Sequence, residues 1–488
     1  MARLPVPNGD NQTWGRVLND FLRQSHEENG FLKQNSVGTN NIRNDAISEN
    51  KLSPELRAKI SGSGETAEVM SSTSDASVNI TSFGADPTGQ KDSTAAIQKA
   101  INTAHERGGG AVEFPAGKYK VSSPFIELKG HVTCYGHGNS TVVFATGSGN
   151  ANDPTGVFHI GTYNTPNSDP NCTRAGLRDM FIKTANGDFA AANPIPGVCG
   201  VLLNTDWKGA KSQDPDAVHS VRNLEIWDMD RGLVVVGKDD QAIQFYNIRI
   251  RRALNQGLLV GKPGSGGAAD NRFWGMDVSS ANRNGNGSAG IEVYTSQCKF
   301  NQCTSWYNRR QQSSGAIDPA KNGGSIGDGA GWRIKGTKNM FIECTAQENG
   351  GHGFIVEYGS NQFVSCLGET SGCNDSSAEK NPEHAANFCI LGGENNQFVG
   401  CRAENPRWKD NTYRGAKTGF YVSPYIVNTR VDYGVVALTQ QEKTDGVAVV
   451  NKSLSSKSLA SRGHSRVEVN ELLYSSFPRD RDVISDKA

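Results

Sequence analysis

The chain has 488 residues, with 50 Lys+Arg against 50 Asp+Glu and a formal net charge of zero. That length exceeds one typical domain, and a neutral balance gives no global field to recruit nucleic acid or an anionic membrane. No run reaches the ~18 apolar residues of a membrane span, and 56 glycines with a mean hydropathy of −0.53 suit a turn-rich protein with a polar surface.

The first residues, MARLPVPNGDNQTW, lack the apolar core of a signal peptide. The expectation is a protein used inside the cell or released by another route, such as lysis. Trp14, Val17, Leu18, Phe21 and Leu22 make a short amphipathic helix. Val37, Ile42, Ile47 and Leu52 then recur every five residues. One apolar residue in five cannot build a core within one chain, whereas several chains wrapped together can. Residues 1–60 therefore read as an attachment helix and a trimeric stem, with a polar linker as the plain alternative. This stretch resembles the repetitive stems of phage tail fibres and tailspikes. LPVPNGDNQTWGRVLNDFL is also similar to attachment segments ahead of tail-associated β-helices. Residues 61–78, SGSGETAEVMSSTSDASV, read as a flexible linker.

A helix is expected at 93–106. Asp92 or Ser93 can cap it, and Ile97, Ala100, Ile101 and Ala104 form one narrow apolar stripe. Gly108 to Gly110 end it, and Val112 and Phe114 alternate with Glu113 as a strand.

Further along, FNQC, FIEC, FVSC and FVGC align. Phe300, Phe341, Phe363 and Phe398 share one column, and Cys303, Cys344, Cys366 and Cys401 share another, three residues on. Leu224, Ile248 and Met276 extend the cysteine column backwards, giving repeats of 24, 28, 27, 41, 22 and 35 residues. A glycine-led second strand follows in most repeats: GLVVV, GLLV, GIEV, GWRI, GFIV and GFYV. Fixed strand columns with variable length mean one coil per repeat and insertions confined to loops. The expected fold is all-β, a parallel solenoid over residues 79–430. Its helix at 93–106 would cover the open N-terminal end. The cysteines would be buried free thiols rather than disulfides, and metal-ligand spacing of the CxxC type is absent. After about residue 430 the repeat fades, so 431–488 read as a C-terminal cap or trimer contact.

SFGADPTGQKDSTAAIQKAI followed by GGGAVEFPAGKYKV resembles the N-terminal signature of the pectate-lyase-like superfamily of right-handed, single-stranded parallel β-helices. That group includes polygalacturonases, mannuronan epimerases and many phage tailspike depolymerases. Fragments similar to the four polygalacturonase signatures occur at 204–206 (NTD), 239–240 (DD), 333–335 (RIK) and 351–353 (GHG). Their order and spacing depart from the family's, so no roles are transferred.

Residues one and three places after the cysteine column should point outward on the solenoid wall. They bring carboxylates, arginines and aromatics onto one strip, and the turn just beyond adds more. Aromatic faces stack on sugar rings, and arginines pair with carboxylates, so the strip suits a polysaccharide groove. The carboxylates expected to carry catalysis are Asp230, Asp277, Glu348 and Glu369. Glu348 with Glu369 would have the closer spacing, and Asp230 with Asp277 the wider. Trp227, Asp228, Arg249, Arg251, Trp306, Tyr307, His352 and Glu404 are expected to bind substrate. No metal or cofactor is called for. The leading expectation is a homotrimeric tailspike-like protein of the virion tail. It would dock on a phage tail or baseplate through its N-terminus, then bind and cleave a host surface polysaccharide, by hydrolysis or by elimination. The alternatives are a non-catalytic receptor-binding fibre and a cell-encoded pectinase-like or uronan epimerase enzyme.

Overall fold

The computed structural model describes residues 13–23, most of 77–438 with interruptions, and short strands at 447–451, 468–470, 473–474 and 484–485. The chain divides into two compact units, Met1–Ser74 and Asp75–Ala488. In the first, helix α1 (Trp14–Leu22) is described. The five-residue repeat of the expected stem lies outside the described residues. No described helix is long and apolar enough to cross a membrane.

In the second unit, helix α2 (Thr94–Glu106) buries Ile97, Ala100, Ile101 and Ala104 completely or nearly so. The cap differs in detail from expectation. The Asp92 carboxylate accepts from Thr94 N at 2.8 Å, whereas the Ser93 hydroxyl accepts from the turn at Asp86 N, at 2.9 Å. The helix packs on the first strands of the solenoid.

From there the chain climbs in coils, and every strand pairing between coils is parallel. Three ladders result. The first carries the phenylalanine column, in register from Phe245 through Phe273, Phe300, Phe341 and Phe363 to Phe398. The second carries Ile226, Ile250, Val278, Ser305, Ala346, Gly368 and Ala403. The third is the glycine-led set, a sheet of 12 strands, one per coil. Phenylalanine rings of successive coils stack nearly parallel at 4.6–5.1 Å. Trp332 meets Phe300 and Phe341 edge-on from the third ladder. Stacked strands ~4.8 Å apart hold like rings at this separation, so one residue repeated per coil becomes a continuous core.

The cysteine column turns inward as expected. Cys303, Cys344, Cys366 and Cys401 are fully buried and free. The Sγ of each of the last three donates to the phenylalanine carbonyl of the preceding coil, at 3.4 Å in each case. A second inward ladder is polar. Asn339, Asn361 and Asn396, buried to 0–1%, each accept a backbone N–H from the coil below, satisfying groups that a corner would otherwise leave orphaned.

The pairing runs past residue 430. Val431 is in register with Phe398, and Val469 with Val431. Aliphatic residues replace the aromatic and cysteine signature there, which is why the repeat fades in sequence while the ladders continue.

Candidate functional site

The outer face of the second ladder carries two polar groups of residues. In the first, Arg249 bridges Glu225 Oε1 at 3.0 Å and Asp277 Oδ2 at 3.2 Å. Trp306 Nε1 donates to the other Asp277 oxygen at 2.5 Å. The Arg251 guanidinium lies 5.8 Å from the ring centres of both Trp227 and Trp306, within cation–π range. In the second, Gln347 Nε2 donates to Glu369 Oε1 at 3.3 Å. Glu404 is in register with Glu369 on the next coil and pairs with Arg402. Burial raises the Glu369 carboxyl above its ordinary value; the Gln347 bond opposes the rise and the Glu404 charge adds to it.

Three of the expected site residues are buried. Asp228 is wholly buried, holding Arg252 through two bonds of 2.8 Å. Asp230 is 2% exposed, bound by Arg231 at 2.9 Å and Asn255 at 2.7 Å. His352 is also 2% exposed, and its Nδ1 accepts from Ala386 N at 3.0 Å. For the two aspartates the cause is a left-handed bend at Asp228 (φ 55°), which turns the following residues into the corner between ladders. Asp230 and Asp277 therefore lie on different faces and do not pair. Tyr307 and Glu348 occupy the same bend column (φ 55° and 49°). Tyr307 packs edge-on against Trp306 at 5.1 Å. Glu348 and Glu369 lie one coil apart in adjacent columns, as expected, with Glu348 N donating to Glu369 O at 2.9 Å. The register partners of Glu369 are Gln347 and Glu404.

A further constellation covers the outer face of the third ladder. The Tyr294 hydroxyl donates to Glu292 Oε2 at 2.9 Å. Gln256 Nε2 donates to the same oxygen at 3.2 Å, and Ala289 N donates to Oε1 at 3.0 Å. These donors hold Glu292, only 2% exposed, in a polar cradle. On the next coils, Arg333 and Lys335 share the Glu357 carboxylate at 2.6 and 3.3 Å. The Lys335 ammonium stands 5.6 Å over the Tyr294 ring. Burial, and then the Glu292 charge, push the Tyr294 phenol well above its ordinary value. Asp230 belongs to the buried end of this network, through Arg231, whose Nε donates to Gln256 at 3.0 Å. A phenol on a carboxylate beside two cations can move a proton next to an anionic group.

Residues 77–198 match the family described as Rhamnogalacturonase A/epimerase, pectate lyase-like. Mannuronan C5-epimerase AlgE3 of Azotobacter vinelandii is 36% identical over 132 residues, 25% of this chain and 7% of that protein. The chain thus spans only a small part of the curated relatives it matches. In three dimensions it resembles the A-module of Azotobacter vinelandii mannuronan C-5 epimerase AlgE4, with a TM-score of 0.51 at 16% identity over 76% of this chain and 99% of that one. It also resembles full-length tailspike protein 2 of Escherichia coli O157:H7 bacteriophage CAB120, with a TM-score of 0.55 at 14% identity over 74% and 42% of the two chains. The chain is a parallel β-helix, pectate-lyase-like in sequence over residues 77–198.

In this β-helix, Glu292, Tyr294, Arg333, Lys335 and Glu357 were not among the site residues expected from the sequence. The signal was available. After the leading glycine the stretches GIEVY and GWRIK alternate apolar with charged or phenolic residues, the latter sharing the outward face, and GFIVE places Glu357 in the same column as Lys335. The RIK fragment at 333–335 sits here. Its Arg333 and Lys335 project together because they are two residues apart on one strand.

Proposed function

We propose that this protein acts on a host surface polysaccharide rich in uronic acid, by proton abstraction next to the sugar carboxylate, as a tailspike-like protein of the virion tail. The observation that carries the reaction class is the Tyr294–Glu292 hydrogen bond of 2.9 Å beside the cations of Arg333 and Lys335. In this reading Arg333 and Lys335 neutralise the uronate carboxylate. The Tyr294 phenol passes its proton to Glu292 as it takes the proton from C5, so that no free phenolate forms beside the Glu292 charge. That proton then goes to the departing O4. One C–H and one C–O bond break, a C4=C5 double bond forms, and Glu292 returns its proton to Tyr294. Return of a proton to the opposite face of C5 would give epimerisation instead. The matched mannuronan epimerases and the tailspike-like architecture support the substrate class. The five-residue repeat at 37–52 supports a homotrimer anchored through residues 1–60.

Hydrolysis is the second reading, favoured by one observation. Glu369 and Glu404 are register partners on adjacent coils, a separation suited to a retaining pair, and burial raises the Glu369 carboxyl, as a general acid requires. Product analysis on alginate and polygalacturonate separates the readings. Elimination gives ultraviolet-absorbing unsaturated ends, hydrolysis gives reducing ends without them, and epimerisation gives neither. Tyr294→Phe is expected to lower the rate by about 10²-fold or more, and Glu369→Gln to leave it within about threefold. The reverse pattern would move the reaction to the second ladder.

A further inference from the structure

The second ladder and the outer edge of the first form a corner on a different face from the Tyr294 cluster. An open cleft of about 330 Å³ runs there, lined by Gly275, Met276, Asp277, Gln302, Thr304, Trp306 and Gln347. That volume is at the lower end of ligand-sized clefts. Trp306 is fixed in its wall by the 2.5 Å bond to Asp277. Immediately before Gly275, Trp274 faces outward and stacks on Tyr246 of the preceding coil, with centroids 4.5 Å apart and rings parallel. Tyr246 is 37% exposed, among the few large apolar side chains of the described residues to reach solvent so far. Arg222 lies in register beside Tyr246, and Arg272 with Lys299 forms the next outward column. All three cations are exposed and hold no ion pair among the described residues.

We infer that this corner is a second, non-catalytic site for an anionic polysaccharide, with the Tyr246–Trp274 stack and Trp306 as its aromatic walls and Arg222, Arg272 and Lys299 as its charge contacts. It deepens the proposed function in that the ligand is the polymer acted on elsewhere, and it requires no chemistry at the corner. Each element has a physical role. Aromatic surface packs against the C–H faces of sugar rings. Unpaired arginines and lysines attract carboxylate or sulfate substituents. Because the whole chain has no net charge, the attraction is local to this face. A coil spacing of ~4.8 Å repeats the wall along the axis, as an extended polymer demands. A site of this kind would hold a long chain on the protein between encounters with the Tyr294 cluster.

The test is affinity electrophoresis of the full chain in gels containing alginate, polygalacturonate, neutral dextran or a single-stranded DNA oligonucleotide. Alginate or polygalacturonate is expected to retard the protein, and dextran is not. Trp274→Ala should weaken that retardation about tenfold, the order expected for one lost aromatic contact. Arg272→Gln with Lys299→Gln should weaken it severalfold without altering melting, since both side chains are exposed. The Trp274→Ala gels are run well below the melting temperature, since Trp274 is half-buried on Tyr246. Tyr294→Phe should bind as the parent does, which separates failure of the corner from failure of the proposed reaction. Three results would each overturn the inference: no retardation by either anionic glycan, unchanged binding in Trp274→Ala, or stronger retardation by DNA than by both glycans.

Discussion

Replacing Asn361 by alanine tests whether the polar corner ladder holds the coils in register. Asn361 is completely buried. Its Oδ1 accepts from Asn339 N at 3.0 Å and from Asn339 Nδ2 at 3.2 Å. Its Nδ2 donates to Gly336 O at 3.0 Å and Tyr358 O at 2.9 Å. Truncation strands one backbone N–H and two carbonyls in a dry corner. Each such group costs about 1–3 kcal/mol, so a loss of about 3–5 kcal/mol is expected after partial relaxation. Gln362→Ala, one residue on and exposed, should stay within about 0.5 kcal/mol. A chain of this size can unfold irreversibly, so the assay is the unfolding rate at fixed urea, followed by intrinsic fluorescence. Asn361→Ala should unfold about 10²-fold faster than the parent if the ladder is formed late in folding. An unfolding rate and melting temperature within error of Gln362→Ala would refute the reasoning.

Two other outcomes follow from burial. Burial raises the Asp240 carboxyl from 3.8 to about 7, against the opposing bonds from Thr205 and Gly237. The folded state therefore binds a proton more tightly than the unfolded chain, so its contribution is complete below 3.8 and lost as pH rises towards 7. Asp240→Asn should flatten that part of the stability profile, measured by urea titration at several pH values; an unchanged slope would count against it. The thiols of Cys303, Cys344, Cys366 and Cys401, all fully buried, should react slowly with a thiol reagent in the native state and rapidly in denaturant; equal rates in both states would contradict the inward column.

The sequence displays those features that every coil must repeat. The Phe300–Phe341–Phe363–Phe398 and Cys303–Cys344–Cys366–Cys401 columns are legible because each coil fills the same space in the core. The glycines that open the third ladder are legible for a related reason. Gly232 and Gly257 each have an isoleucine or valine side chain 2.3 Å from where a Cβ would stand. Outward residues have no such constraint, so the Arg249–Asp277–Trp306 contacts were approached only through their columns. Asp228 and Asp230 read as surface acids because a left-handed bend of a non-glycine residue leaves little mark in composition. The Glu292–Tyr294–Arg333–Lys335 group escaped notice because each coil contributes a different residue type. Repetition reveals a scaffold, whereas a functional group is the place where repetition stops.

The joins between ladders differ sharply in length. First to second, the join is two residues in coil after coil: 275–276, 302–303, 343–344, 365–366, 400–401. Third to first it varies, from 294–298, 335–339 and 357–361 to 261–271 and 205–219. Second to third it ranges from 228–230 to 307–331, with 370–385 and 406–417 between. Growth of the chain has thus been admitted at the two edges that flank the third ladder, whose strands bear Glu292 and Arg333. One of the three corners behaves as a fixed frame, and the other two as exchangeable borders. Segments can be exchanged at those borders while the frame, with its stacked rings and thiols, stays untouched.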